Sequence, residues 1–240
     1  DCYTVYDEAM SAELEARNTL EGDLRDAIVR CQFEVHYQPF FDVQTGQRCG
    51  VEALVRWRHP IRGLIPPEQF IPLAEETGLI IPLGEWVIRR ACDDAMRLPD
   101  DVKVAVNLSP VQFKQAELFE VIRSALKNSG LPPQRLEIEI TESVLLERAL
   151  ENHAFIERLK SLGISLALDD FGTGYSSLGM LHAFPFDKIK LDRSFVARME
   201  SGSNEAAVVR SIVALGSSLG KTVVAEGIET DLQLRQLQEM

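Results

Sequence analysis

Residues 164–174 read ISLALDDFGTG, an apolar strand-like run that ends in two adjacent carboxylates and two closely spaced glycines. Alternate residues of a strand face the same side, so Ser165, Ala167 and Asp169 share one face and Leu166 and Leu168 the other. Small and polar side chains on one face with branched ones on the opposite face is the pattern of a barrel strand. The inner face meets other strands across a narrow lumen, and the outer face meets helices. Gly172 and Gly174 then read as turn glycines rather than as a phosphate cradle.

The same arrangement recurs along the chain. Strand-like runs fall at 34–43, 51–57, 102–108, 136–140, 165–169, 188–191 and 222–225, and helical runs at 83–98, 116–128, 153–162, 206–219 and 231–239 lie between them. Gly130, Gly163 and Gly220 stand where helices are expected to end. Strands alternating with helices specify an α/β fold with a mostly parallel sheet. An open doubly wound sheet carries a glycine-rich phosphate turn after its first strand. GxGxxG is absent here, so a TIM-type (β/α)8 barrel leads, with seven strands counted and the last strand of a closed barrel not among them. In the second run Glu52, Leu54 and Arg56 share a face against Val51, Ala53, Val55 and Trp57, and in the third Ala105 and Asn107 oppose Val104 and Val106.

A chain of 240 residues fits one barrel or two small domains, and no Gly/Ser-rich linker or repeat divides it, so one domain is the better reading. Hydrophobic residues make up 45% of the chain. No run reaches the roughly 18 to 20 apolar residues of a transmembrane helix, and no secretory signal is visible. Cys2, Cys31, Cys49 and Cys92 form no CxxC pair, which points to reduced thiols and a cytoplasmic setting, either free or as the cytoplasmic part of a membrane-anchored protein. The net charge of -12, from 25 Lys and Arg against 37 Asp and Glu, argues against a nucleic-acid polymer as partner, because such binding needs clustered cations. His36, His59, His153 and His182 show no HxxxH or HD pairing and read as packing or surface residues. The spacing of Met10, Leu14, Leu20, Leu24 and Ile28 suits an amphipathic helix, either packed on the domain or leading in from an upstream module. A start at Asp1-Cys2 without an initiator Met fits a piece of something longer.

Chemistry concentrates at the strand ends. Glu52, Asn107, Glu139, Asp169, Asp170, Lys190 and Glu226 each stand on or just after a strand-like run, and parallel strands bring such positions to one rim. Gathered carboxylates with only Lys190 and Arg56 for compensation raise each other's pKa, and divalent cations resolve that conflict. Oxygen-only donors favour Mg²⁺ or Mn²⁺ over Zn²⁺. The Asp169-Asp170 pair can bridge two metals, the arrangement that activates water and stabilises a leaving oxygen in phosphodiester hydrolysis. Lys190 then orients that water or neutralises charge on the phosphate, and Arg56 holds a phosphate oxygen pair. Taken singly, each acid also reads as an exposed turn residue and Lys190 as a salt-bridge partner inside the barrel.

YQPFFDV, EALVRWRHP, NLSPVQF, EIEITES, DDFGTGYSSL, KIKLD and VAEGIET, in this order, resemble the EAL-domain family of cyclic di-GMP phosphodiesterases over about residues 24–240. Residues 1–23 resemble the connector helix from an upstream diguanylate-cyclase-like domain. The resemblance implies a modified (β/α)8 barrel whose first strand is antiparallel to the rest, and hydrolysis of cyclic di-GMP to linear pGpG with two Mg²⁺ or Mn²⁺ ions. Ca²⁺ is expected to bind but to inhibit. Position by position, Glu52, Asn107, Glu139 and Asp169 match first-metal ligands, Asp170 and Glu226 the second-metal side, and Lys190 the water-orienting lysine. Gln38, Leu54, Arg56 and Glu229 match substrate contacts, and Glu142 the glutamate that holds the DDFGTG loop, which in the family links dimerisation to metal binding. A homodimer and an upstream sensory domain are expected partners. The family's last strand and a following glutamine-glycine segment fall beyond Met240, which leaves barrel closure and one guanine contact outside the chain. The rival reading is a catalytically silent or autoinhibited cyclic di-GMP receptor; the complete ligand set favours the enzyme.

Overall fold

A computed structural model describes residues 8–146, 149–172, 178–199 and 204–240. In chain order it contains α1 (Glu8–Val29), β1 (Phe33–Phe41), β2 (Arg48–His59), β3 (Gly63–Ile65), α2 (Pro67–Glu76), α3 (Ile80–Ala95), β4 (Lys103–Leu108), α4 (Pro110–Phe113), α5 (Leu118–Ser129), β5 (Leu136–Thr141), α6 (Glu142–Leu146), α7 (Ala149–Ser161), β6 (Ser165–Phe171), α8 (Leu178–Ala183), β7 (Lys188–Leu191), α9 (Arg193–Met199), α10 (Glu205–Ser218), β8 (Thr222–Ala225) and α11 (Asp231–Gln238). Cys2 and Gly174 lie outside the described residues.

A single sheet runs β1-β2-β4-β5-β6-β7-β8, with β3 hairpinned onto β2. β1 is antiparallel to β2, while β2 and all later strands of the path are parallel. Among the described residues β1 and β8 do not pair, so the sheet curls into an open half barrel. This is the modified barrel expected from the sequence, and all seven expected strands are present. The additional strand, β3, is a three-residue hairpin arm, too short to carry a period.

The outer faces of the strands hold the core. Val104, Leu136, Ile138, Ile140, Leu166, Leu168, Ile189 and Leu191 are completely buried beneath the helices. Each such side chain contributes about 1.5–3 kcal/mol by leaving water. At one end of the sheet the rings of Phe33, Trp57 and Phe70 pack with centroids 5.7–5.8 Å apart. Buried Arg135 donates to the carbonyls of Ala95, at the end of α3, and of Leu98, Pro99 and Val102, in the segment that leads to β4, and so ties that segment to the sheet.

The expected N-terminal amphipathic helix is α1, and its C-terminal half is docked: Leu24 and Ala27 are fully buried. Arg17 pairs with Glu76 of α2. Asp23 lies 3.2 Å from Nε2 of buried His59, whose Nδ1 accepts from the backbone N–H groups of Ile61 and Arg62. No described helix is long and apolar enough to cross a membrane. The short helices α2, α4, α6, α8 and α9 were not expected from periodicity. All but α2 span seven residues or fewer, and α2 begins at Pro67 and contains Pro72, so none displays two clean helical turns of pattern.

Candidate active site

The inner faces of the strands form layers, because each strand places every second residue in the lumen. Register sets which residues share a layer: Ala105 stands opposite Glu52, Asn107 opposite Glu139, Ala167 opposite Glu139, and Asp169 opposite Thr141. Ala105 and Ala167 are completely buried. Their short side chains leave lumen space into which the longer carboxylates of neighbouring strands reach.

At the centre of that space is Lys190 of β7, 5% exposed. Its Nζ lies 2.7 Å from Glu139 Oε2 on β5, 2.8 Å from Glu226 Oε1 just after β8, 3.3 Å from Asp169 Oδ1 on β6 and 3.5 Å from Glu52 Oε2 on β2. Asn107 of β4 joins the cluster by donating from Nδ2 to Glu52 Oε1 at 2.6 Å. Four carboxylates therefore face one ammonium. Burial raises the Glu139 carboxyl well above the ordinary range, and Lys190 offsets this only in part. Glu226 is raised for the same reason. Burial alone would lower the pKa of Lys190, but Glu139, Asp169, Glu52 and Glu226 outweigh it and hold the lysine protonated.

The donor chemistry fits a hard divalent cation: carboxylate oxygens and one side-chain amide, with no imidazole or thiolate. Among the described residues no three His, Cys, Asp or Glu side chains form an open metal cradle. The oxygens are turned onto Lys190 instead, so a cation entering here has to displace the ammonium from them. The salt-bridge reading of Lys190 is thus the arrangement that the structure shows.

Asp170 follows Asp169 on β6 with φ 54°, its backbone N–H donates to Asp169 Oδ1 at 2.9 Å, and Lys190 and Glu52 of the knot act on its carboxyl electrostatically. Partial desolvation, then Asp169 and Asp192, raise its carboxyl. Asp192, which follows β7, is itself held low chiefly by its bond to the Ser194 side chain. Its place two residues after Lys190 in KIKLD was the available signal, and the sequence reading did not use it.

Gln38 pairs across β1 and β2 with Glu52, Leu54 with His36, and Arg56 with Glu34, so these expected substrate contacts lie at alternate positions along the β1–β2 ladder. Arg56, expected to help compensate the acids, donates from Nη1 to the carbonyl of Val55 at 2.9 Å, and among the described residues Lys190 is the cation on which the knot closes. Glu229 is exposed, and its backbone N–H donates to Gln233 Oε1 at 2.7 Å, at the capped start of α11. Glu142 is 5% exposed and opens α6 directly after β5. Gly172 has φ 97°, and a Cβ there would stand 2.6 Å from the Phe195 ring, so the turn after Asp170 requires glycine. Residues 173–177, the remainder of that loop, lie outside the described residues. Ser109, also not singled out from the sequence, caps α4 and donates to Glu75 Oε1 at 2.7 Å, which secures the chain two residues after Asn107.

Residues 21–240 match the protein family described as "EAL domain". The chain is 49% identical over 229 residues to "Uncharacterized protein y4lL" of Sinorhizobium fredii, covering 95% of this chain and 28% of that protein. It is 43% identical over 235 residues to "Bifunctional diguanylate cyclase/cyclic di-GMP phosphodiesterase MucR" of Pseudomonas aeruginosa, covering 96% of this chain and 34% of that protein. It therefore spans about a third or less of the length of these curated relatives. The solved structure "PaMucR Phosphodiesterase, c-di-GMP complex" superposes with a TM-score of 0.88 at 45% identity, over 92% of this chain and 91% of that one. With the half barrel, the strand-end acids and these matches in agreement, the chain belongs to the EAL domain family.

Proposed function

We propose that this chain is a two-metal-dependent phosphodiesterase domain that hydrolyses cyclic di-GMP to linear pGpG in bacterial second-messenger signalling. The observation that carries this reading is the convergence of Glu52, Glu139, Asp169 and Glu226 on Lys190, with Asn107 bonded to Glu52. Such an excess of buried negative charge suits Mg²⁺ or Mn²⁺, and the names of MucR and its solved complex agree with the substrate.

In this mechanism Glu52, Asn107, Glu139 and Asp169 would hold one ion, and Asp170 and Glu226, with Asp169 shared, a second. When bound, the ions supply an activated water and stabilise the leaving oxygen. Lys190, whose ammonium stands among these carboxylates, would donate to the attacking water and to the phosphate, where charge develops. Gln38, Leu54, Arg56 and Glu229 bind the nucleotide; Arg56, with five N–H donors, retains capacity for phosphate oxygens beyond its bond to Val55. Glu142 holds the loop after Asp170, through which a homodimer partner acts on the site. Residues 1–23 connect to an upstream sensory or cyclase-like domain, and residues 24–240 form the phosphodiesterase domain, set in the cytoplasm. The same oxygen donors would also take Ca²⁺, whose looser coordination would support binding better than turnover, so Ca²⁺ is expected to inhibit.

The receptor reading is favoured by one observation, the closure of Lys190 on four carboxylates, which has to open before a cation enters. Incubation of the chain with cyclic di-GMP and Mg²⁺ or Mn²⁺, followed by chromatography, separates the two. Metal-dependent pGpG that a chelator abolishes is the expected result. Nucleotide binding without product under either metal would make the domain a receptor.

A further inference from the structure

One layer below the candidate site, toward the N-terminal ends of the parallel strands, lies a second set of polar side chains that the proposed reaction does not use. Lys188 Nζ lies 2.6 Å from Glu137 Oε1, with the two side chains 12% and 1% exposed. Lys188 also stands over the Phe40 ring, 4.4 Å from its centroid. Lys103 Nζ donates to Ser165 Oγ at 2.9 Å.

These residues repeat the site at a spacing of two along each strand. Glu137 precedes Glu139 on β5, Lys188 precedes Lys190 on β7, and Phe40 follows Gln38 on the antiparallel β1. Two Glu–Lys rungs thus span from β5 to β7 across β6, at 2.6 Å below and 2.7 Å above. The residues of β6 beneath them are Ser165 and Ala167, small enough to let both rungs cross. On β2, Gly50 makes room for Phe40: a Cβ there would stand 2.2 Å from the ring.

The two rungs differ in what competes for them. A divalent cation held by Glu139 would compete with Lys190 for the carboxylate that the lysine contacts at 2.7 Å. The lower rung has no such competitor. Among the described residues Glu137 Oε2 is buried and accepts no hydrogen bond, and Lys188 holds the other oxygen of this carboxylate at 2.6 Å. A buried ion pair adds little net stability relative to an apolar pair, and here the 2.6 Å contact sets the orientation of both side chains. That geometry links β1, β5 and β7, the strands that carry Gln38, Glu139 and Lys190.

Building on the metal-dependent reading of the site, we propose that Glu137 and Lys188 are positioning residues. They hold β5 and β7, and through Phe40 also β1, at a fixed spacing, so that Glu139 and Lys190 stay aligned after a divalent cation has parted them.

The test is calorimetric titration of the chain with Mn²⁺ alone, together with kcat and KM for cyclic di-GMP and a thermal melt. Lys188→Met keeps length and contact with Phe40 but removes the charge. It is expected to raise the Mn²⁺ Kd and lower kcat by about 10-fold each, the low end of the loss seen when a partner bonded directly to a ligand is removed. Lys188→Arg, which keeps the ion pair and the stacking on Phe40, is expected to recover both. A lowered Tm with wild-type Kd and kcat would make the lower rung a structural element only and overturn the proposal. If Lys188→Met does not fold, Glu137→Gln decides by the same two readouts: a weaker loss in the same direction supports the proposal, and unchanged values overturn it. Wild-type protein that binds no Mn²⁺ would remove the metal-dependent reading and the inference with it. Mn²⁺ binding by wild type that neither variant alters would remove the inference alone.

Discussion

Replacing Lys190 with Met exposes the electrostatics of the site most directly. The side chain is 5% exposed, and its ammonium is shared by Glu52, Glu139, Asp169 and Glu226 at 2.7–3.5 Å. Removing one partner from a buried ion pair costs about 3–5 kcal/mol, because the remaining charge has no counter-ion. At about 2–4 °C per kcal/mol for a chain of this size, the metal-free variant melts roughly 6–20 °C below wild type. The deficit depends on pH. Burial already raises the Glu139 and Glu226 carboxyls above their unfolded values, and loss of Lys190 raises them further. Groups raised in this way contribute stability that is present at low pH and lost as pH climbs through the folded pKa, so the deficit is larger at about pH 8 than at about pH 6. Divalent cations supply the missing positive charge. Mn²⁺ therefore raises the Tm of the variant by more than it raises that of wild type, following the binding contribution RT ln(1 + [L]/Kd), while turnover is lost with the lysine. Thermal melts of both proteins with chelator and with saturating Mn²⁺, at both pH values, read every part of this. Equal Tm shifts with Mn²⁺ in the two proteins, or a deficit independent of pH, would refute the reasoning.

Three further outcomes are expected. Glu52→Ala removes one carboxylate of the knot and the acceptor of the Asn107 amide; metal-dependent turnover should vanish with the fold intact by circular dichroism, and retained turnover would refute the ligand assignment. Gly50→Ala sets a methyl 2.2 Å from the Phe40 ring and forces the ring off Lys188; a loss of about 1–3 kcal/mol is expected in urea denaturation, and an unchanged midpoint would contradict the packing. Burial pushes the Cys92 thiol up to about 12, so it stays protonated and inert below that pH, whereas Cys31 and Cys49 are exposed. Alkylation at about pH 8 followed by mass spectrometry should label those two and spare Cys92 until the chain is unfolded, and native labelling of Cys92 would count against its burial.

Much of the barrel was legible because its signal is repetitive. The alternation in ISLALDDFGTG assigned Ser165, Ala167 and Asp169 to the lumen, and the structure buries Leu166 and Leu168 on the other side, as that alternation requires. Long helices also followed their periods, with boundaries displaced by a few residues: 83–98 was expected where α3 runs Ile80–Ala95. Elements shorter than two turns, such as α4, α6 and β3, contain too few residues to show any period.

The candidate site divides along a similar line. The sequence determined which residues reach the lumen, because strand alternation is local and each acid lies within or beside its own apolar run. It also determined that the cluster is acidic and rich in oxygen donors, since this is a matter of residue type. Which groups touch was decided by register and curl across strands far apart in the chain. Only the tertiary structure placed Lys190 between four carboxylates, turned Arg56 back onto the Val55 carbonyl, and stacked Glu137 and Lys188 directly beneath Glu139 and Lys190. The physical reason is distance: alternation fixes a side chain's face within a few residues, whereas charge pairing acts over a few ångströms between β5 and β7, whose paired residues lie 51 positions apart.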